Sequence, residues 1–298
     1  MHRGRHKDAK VFPEPFNRYR ITMIKTTNPN PWFKPSGPSP KTRMRLFCFP
    51  YAGGGASVFR TWSQLLPPEV EVWRLQLPGR ENRLGEKPFR CFLPMSHAVT
   101  QRLAGFSDLP FAFFGHSMGA LIAFEVARLL RRRRDSEPLH LFVSGCPAPQ
   151  AMAVDRGCCA TSDAQFIEEL RRLNGTPTEV LENQELLRLF LPLLRADFAV
   201  CASYRYLEDA PLSCPITVFG GRQDPQVNAA QLSEWRHQTS DMFRQAMFAG
   251  DHFFLHMASQ TLLEIISALL GGTESPSHRA ALRAGSPWLQ AKSTQQVA

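Results

Sequence analysis

The sequence predicts an α/β fold, a mostly parallel, doubly wound sheet with a helical lid inserted into it. Three observations carry that expectation. Short apolar runs alternate with helical stretches between residues 44 and 270, one long segment is helical throughout, and one apolar run ends in a glycine-flanked serine that opens a helix.

Six runs read as buried strands: 44–49, 70–77, 111–114, 139–144, 216–219 and a weaker 243–248. Near-continuous apolar runs of this length suit parallel strands covered on both faces. Helical patterns fill the intervals at 57–66, 94–104, 118–131, 226–238 and 253–270. From about 150 to 211 there is no convincing strand, only helices over 162–173 and 182–206. A helical insertion between two strands reads as a lid over the strand ends. Its leucines and phenylalanines, such as Leu187, Phe190 and Leu194, are expected chiefly to bury the lid against the core, with a few left to line an acyl channel. The stretch from Thr176 to Val218 holds no glycine and offers no obvious hinge.

These elements place the folded domain at residues 43–271. Residues 1–42, basic and rich in proline, are expected to be a disordered extension, and 272–298 a disordered tail. No apolar core follows the basic start, so a signal peptide is not expected, and Met23 is an alternative start. Charge follows the same division. Residues 1–42 hold nine Lys or Arg against two acids, and 272–298 hold three against one, which accounts for the whole net charge of +9. The domain between is neutral, so nucleic acid is not expected as its partner. No apolar run approaches the roughly 20 residues of a membrane span. Seven cysteines without a C-x-x-C pair or a companion histidine at ligand spacing read as reduced thiols of a cytoplasmic protein, and no metal site is expected.

The chemistry begins at Gly115-His-Ser-Met-Gly119, which follows an apolar strand and opens a helical run. In that context G-x-S-x-G is a nucleophile elbow: the serine sits on a strained turn, and the flanking glycines leave room for it. Ser117 is then presented at a helix N-terminus, where the dipole favours developing negative charge. A serine hydroxyl needs a base, and in the α/β-hydrolase arrangement the chain order is serine, acid, histidine. Asp224, in Gly220-Gly-Arg-Gln-Asp-Pro225, and His252, in Gly250-Asp-His252, each lie on a loop beyond a strand end. His252 is expected as general base and acid, with Asp224 holding its tautomer. Asp251, His256, His116, Asp209 and Asp241 are weaker rivals. Met118 supplies one oxyanion donor, and the loop after the first strand the other, at Ala52 with Gly53 close behind.

Five separated motifs carry a resemblance: Phe49-Pro-Tyr-Ala-Gly-Gly-Gly55, Leu77-Pro-Gly-Arg-Glu81, Gly115-His-Ser-Met-Gly119, Gly220-Gly-Arg-Gln-Asp224 and Gly250-Asp-His252. Together they resemble the type II, editing thioesterases of nonribosomal peptide and polyketide synthases, and the related medium-chain thioesterase of fatty acid synthase. In the lid, Glu169-Leu-Arg-Arg-Leu-Asn-Gly-Thr-Pro177 and Leu191-Pro-Leu-Leu-Arg-Ala-Asp-Phe198 are similar as well. The resemblance implies hydrolysis of acyl or aminoacyl thioesters on the phosphopantetheine arm of acyl or peptidyl carrier domains, by a cytoplasmic monomer with no cofactor of its own. From the residues alone only a serine hydrolase follows. A general carboxylic-ester hydrolase or an acyltransferase on the same triad remains the alternative. A non-catalytic carrier binder is disfavoured, since it has no reason to keep Ser117, Asp224 and His252. Arg131–Arg134 could meet an acidic carrier, but a solvated helix C-terminus is the better expectation. Leu77-Pro-Gly-Arg80 suggests no mechanism at this level.

Overall fold

The computed structural model describes residues 31–37, 39–103, 105–106, 108–152 and 162–271 of the 298-residue chain. The strands are β1 (Phe33–Pro35), β2 (Met44–Phe49), β3 (Val70–Leu75), β4 (Phe111–His116), β5 (Leu141–Ser144), β6 (Ile216–Gly221) and β7 (Phe243–Phe248). They form one sheet in the order β1-β3-β2-β4-β5-β6-β7, parallel throughout except for β1, which runs antiparallel to β3. The helices are α1 (Trp62–Leu65), α2 (Phe92–Leu103), α3 (Met118–Arg132), α4 (Asp163–Leu173), α5 (Thr178–Glu182), α6 (Gln184–Ser203), α7 (Ala229–Ser233), α8 (Phe254–Met257) and α9 (Ser259–Leu270).

Strand β4 shows why the apolar runs are continuous. Phe111 and Phe113 point to one face, with residues of α2 and α3 such as Val99 and Leu121. Ala112 and Phe114 point to the other, with Trp62, Leu262 and Ile266 of α1 and α9. All four are buried, so neither face of the strand can carry a polar residue without a cost in desolvation. The register then assembles the site. Phe49 pairs with Gly115, His116 with Ser144, Ser144 with Phe219, and Gly221 with Phe248. The loops that leave these carboxyl ends therefore share one edge of the sheet, where open α/β folds bind their ligands.

The expected boundary at residue 42 is corrected. Strand β1 lies inside the segment read as a disordered extension, and its residues pair with Trp73, Arg74 and Leu75 of β3. Phe33 is buried with its ring edge-on to Phe47, Phe49 and Phe106, and Trp32 is buried beside it. Two adjacent aromatic side chains bury enough apolar area to order a short segment in spite of its prolines. Pro35 is tolerated because an edge strand need not donate from every residue. The expected extension over 1–30 and the tail over 272–298 lie outside the described residues.

Other boundaries shift for local reasons. The 226–238 pattern splits into α7 and a 3-10 turn over Glu234–Gln238, with Asn228 and Gln231 forming a reciprocal cap at the start of α7. Within the expected lid, α4 and α6 fall on the two helical patterns, α5 is a helix that no pattern marked, and residues 153–161 lie outside the described ones. Ser162 caps α4, and Asn183 caps α6 by accepting from the N–H groups of Glu185 and Leu186. Phe166, Leu170, Leu181 and Leu194 make the lid's own small core. Among the described residues, no helix is long and apolar enough to cross a membrane.

Candidate active site

Ser117 caps α3 with φ +54° and ψ −119°, a conformation that a residue with a Cβ enters only at a cost of about 1–3 kcal/mol. Its surroundings hold it there. The Ser117 N–H donates to the carbonyl of Ser144 at 2.8 Å. A Cβ on Gly115 would strike the Gly119 carbonyl, and one on Gly119 would strike the Phe49 carbonyl, so both glycines are fixed by close backbone approach. The Met118 N–H, at the first position of α3, has no acceptor within the helix and is available to a ligand.

Strand β6 delivers Asp224 through the loop after Gly221, and the loop after β7 delivers His252. The His252 Nδ1 lies 2.7 Å from the Asp224 Oδ2, with 4% and 0% of the two side chains exposed. The other carboxylate oxygen of Asp224 accepts from the N–H groups of Gln226 at 2.8 Å and Val227 at 3.3 Å. The acid is thus fully ligated, and a carboxylate facing Nδ1 holds the proton there and leaves Nε2 with its lone pair. No hydrogen bond joins the Ser117 hydroxyl to the imidazole among the described residues, a contact that often tightens only with substrate bound.

The loop after β2 is a turn closed by the Gly54 N–H on the Tyr51 carbonyl at 2.9 Å. Gly53 takes φ +80° at its third position, as a type II turn requires. The Gly53 N–H donates to Asp197 Oδ2 at 2.7 Å and is therefore committed, whereas the Ala52 N–H has no protein acceptor among the described residues. Of the two donors weighed from sequence, only Ala52 is left available.

The rivals have other partners. Asp251 accepts from the Phe253 N–H at 2.8 Å and from Asn174 Nδ2 at 2.9 Å. His256 meets the Tyr51 hydroxyl at 3.1 Å on the surface. Asp209 pairs with Arg131 and Arg132 at 2.9 Å each, and Asp241 accepts from the Met242 N–H. Arg131 and Arg132 sit at the far end of α3, about 20 Å from its first turn, and their guanidinium groups are engaged there. His116 is fully buried, with Nδ1 2.9 Å from Ser144 Oγ and its ring centroid 5.1 Å from that of His252. Burial, reinforced by His252, holds the His116 pKa well below the ordinary histidine value. It stays neutral, and so does not oppose a positive charge on its neighbour.

Sequence reasoning missed Arg80, Asp197, Asn174 and Phe253. The segment after β3 turns out to brace the Ala52 loop. Gln76 accepts from the Ala56 N–H at 2.7 Å, Glu81 from the Ser57 N–H at 2.9 Å, and Arg80 Nη1 donates to the Gly54 carbonyl at 3.0 Å. The signal available was Leu77-Pro-Gly-Arg-Glu81 itself, a distinctive run with no local structural purpose. No cluster among the described residues could hold a metal ion.

Known proteins resemble the chain over most of its length. The thioesterase domain family matches residues 44–270. The chain is 47% identical over 237 residues to the gramicidin S biosynthesis protein GrsT of Aneurinibacillus migulanus, covering 80% of this chain and 93% of that one. The RedJ thioesterase from the prodiginine biosynthetic pathway of Streptomyces coelicolor superposes with a TM-score of 0.72 at 39% identity, over 76% of this chain and 90% of RedJ. YbtT, a type II thioesterase from the yersiniabactin NRPS/PKS pathway, gives a TM-score of 0.72 at 33% identity, over 80% of this chain and 97% of YbtT.

Proposed function

Since this chain belongs to the thioesterase domain family, we propose that it hydrolyses acyl or aminoacyl thioesters on phosphopantetheine carrier domains. It would thereby release stalled or misprimed groups from a nonribosomal peptide, polyketide or fatty acid synthase. The observation that carries its hydrolytic chemistry is the buried 2.7 Å contact of His252 with Asp224, on the sheet edge where Ser117 is held on its elbow. In the proposed reaction His252 Nε2 takes the Ser117 proton as Oγ attacks the thioester carbonyl. The N–H groups of Met118 and Ala52 receive the oxyanion. Collapse expels the pantetheine thiolate, which takes the proton from His252, and leaves an acyl-serine. Water, deprotonated by His252, attacks that ester, and Ser117 recovers its proton as the acid departs. Asp224 stabilises the imidazolium in both halves. The cycle uses groups of one chain and calls on no metal or cofactor, and a cytoplasmic monomer is proposed with it. The carrier as substrate comes from the resemblance to type II thioesterases, and among the relatives GrsT is named for gramicidin S biosynthesis and YbtT as a type II thioesterase of an NRPS/PKS pathway.

The test is release of acyl groups from a loaded phosphopantetheinylated carrier protein. Wild type should turn over, and Ser117→Ala should lose at least about 10³-fold in kcat. If folded wild type leaves the carrier loaded yet cleaves simple oxygen esters, the assignment moves to a general esterase.

A further inference from the structure

The Ala52 turn is held from the lid. Asp197, on α6, is almost fully excluded from solvent, as is Arg80, with 2% and 3% of their side chains exposed. The two groups meet in a fork: Arg80 Nη1 on Asp197 Oδ2 and Nη2 on Oδ1, each at 2.8 Å. The same Oδ2 accepts from the Gly53 N–H at 2.7 Å, while Arg80 Nη1 also donates to the Gly54 carbonyl at 3.0 Å. The turn is thus gripped at consecutive residues by two opposite charges, one from the lid and one from the segment after β3. One turn of α6 earlier, Leu194 Cδ2 sits where a Cβ on Gly53 would come within 2.6 Å, so the helix presses on the turn as well.

A buried ion pair is a poor source of stability, because the charges give up as much hydration as they regain from each other. A pair placed on the backbone next to a free N–H has a different use. An oxyanion donor works only if its direction is fixed before the charge appears. The Ala52 N–H shares its peptide plane with the Tyr51 carbonyl, which accepts from the Gly54 N–H at 2.9 Å, and the pair fixes that turn from the other side by holding the Gly53 N–H and the Gly54 carbonyl.

We propose that Asp197 and Arg80 are a positioning pair for the Ala52 oxyanion donor, so that the site is complete only when the lid helix is seated. The inference rests on the proposed serine hydrolase chemistry but not on the carrier. A lid that lifts takes Asp197 off Gly53, leaves Arg80 without its counter-charge and releases the turn. Seating of the lid and readiness to stabilise the oxyanion are then one event.

The test uses the full chain and p-nitrophenyl butyrate, which needs Ser117 but no carrier. The variant Arg80→Met/Asp197→Leu removes both charges together, so neither is left buried and unpaired, and circular dichroism and Tm report whether it folds. The expected result is a kcat lower by about 10- to 100-fold with KM within about threefold of wild type, the pattern of a group felt only in the transition state. A folded variant that keeps more than a tenth of wild-type kcat, or whose loss lies in KM, overturns the proposal. If the double variant does not fold, Arg80→Lys, which keeps a positive charge beside Asp197 but not the two-pronged grip on Asp197 and Gly54, is judged by the same split. Wild type that cleaves p-nitrophenyl butyrate but not a loaded carrier overturns the carrier reading and leaves the positioning pair to be decided by its variants.

Discussion

His140 sits against the sheet without charge, 4% exposed, its Nε2 2.9 Å from Thr217 Oγ1 and its ring stacked on Phe142. Burial, with a smaller contribution from Arg244, lowers its pKa from 6.5 to about 4. Between those values the unfolded chain binds a proton that the folded one refuses, so stability rises with pH across that window. The contribution is complete above about pH 6.5 and is lost as pH falls toward 4, on the order of 3 kcal/mol in all. We therefore predict that His140→Gln, which can still reach Thr217, loses less Tm between pH 7.5 and 4.5 than wild type does, by about 5–10 °C. Equal losses in the two proteins would count against it. At this scale the sequence was most legible where a residue's neighbours in the chain are its neighbours in chemistry. Ser117 announces itself through Gly115 and Gly119, which are two positions away on either side. Arg80 does not, because its carboxylate partner lies 117 residues on.

The lid touches the histidine loop as well as the Ala52 turn. Helix α4 ends on Asn174 in a left-handed conformation, which turns the chain so that Asn174 reaches Asp251 and Gly175 lies against the Phe253 ring. That ring packs 5.1 Å from His252 and 5.0 Å from Tyr51, between centroids. A Cβ at position 175 would strike the ring tip, and the ring could yield only by pressing on its neighbours. Gly175→Ala is expected to lower kcat on a loaded carrier on the order of tenfold with the fold retained, since small misplacements at a site are costly. Unchanged kcat alongside an unchanged Tm would sink the idea. The lid helices α4 and α6 were legible from their periodicity. What they dock on was not, because a polar contact between distant segments leaves no period in the sequence.

For the molecule as a whole, six of the strands and the loops that carry Ser117, Asp224 and His252 could be read from alternating apolar runs and turn residues. Strand β1 could not. Three residues are too few to show a pattern, and the prolines around them argue for disorder. Its worth to the fold is measurable. Phe33 is 1% exposed among three other phenylalanine rings, and Phe33→Ala should cost about 3–5 kcal/mol, or roughly 10 °C in Tm. A loss below about 2 °C would show that the strand is not part of the stable domain. The placement of β1 also bears on how open that edge of the sheet is to another chain. Strand β3 would otherwise end the sheet with six residues of unpaired backbone, a ready template for another chain. In its place the margin is a three-residue strand, Phe33-Lys-Pro35, that brings a positive charge and a ring without an N–H to offer. Such a margin gives a neighbouring strand too little to hold.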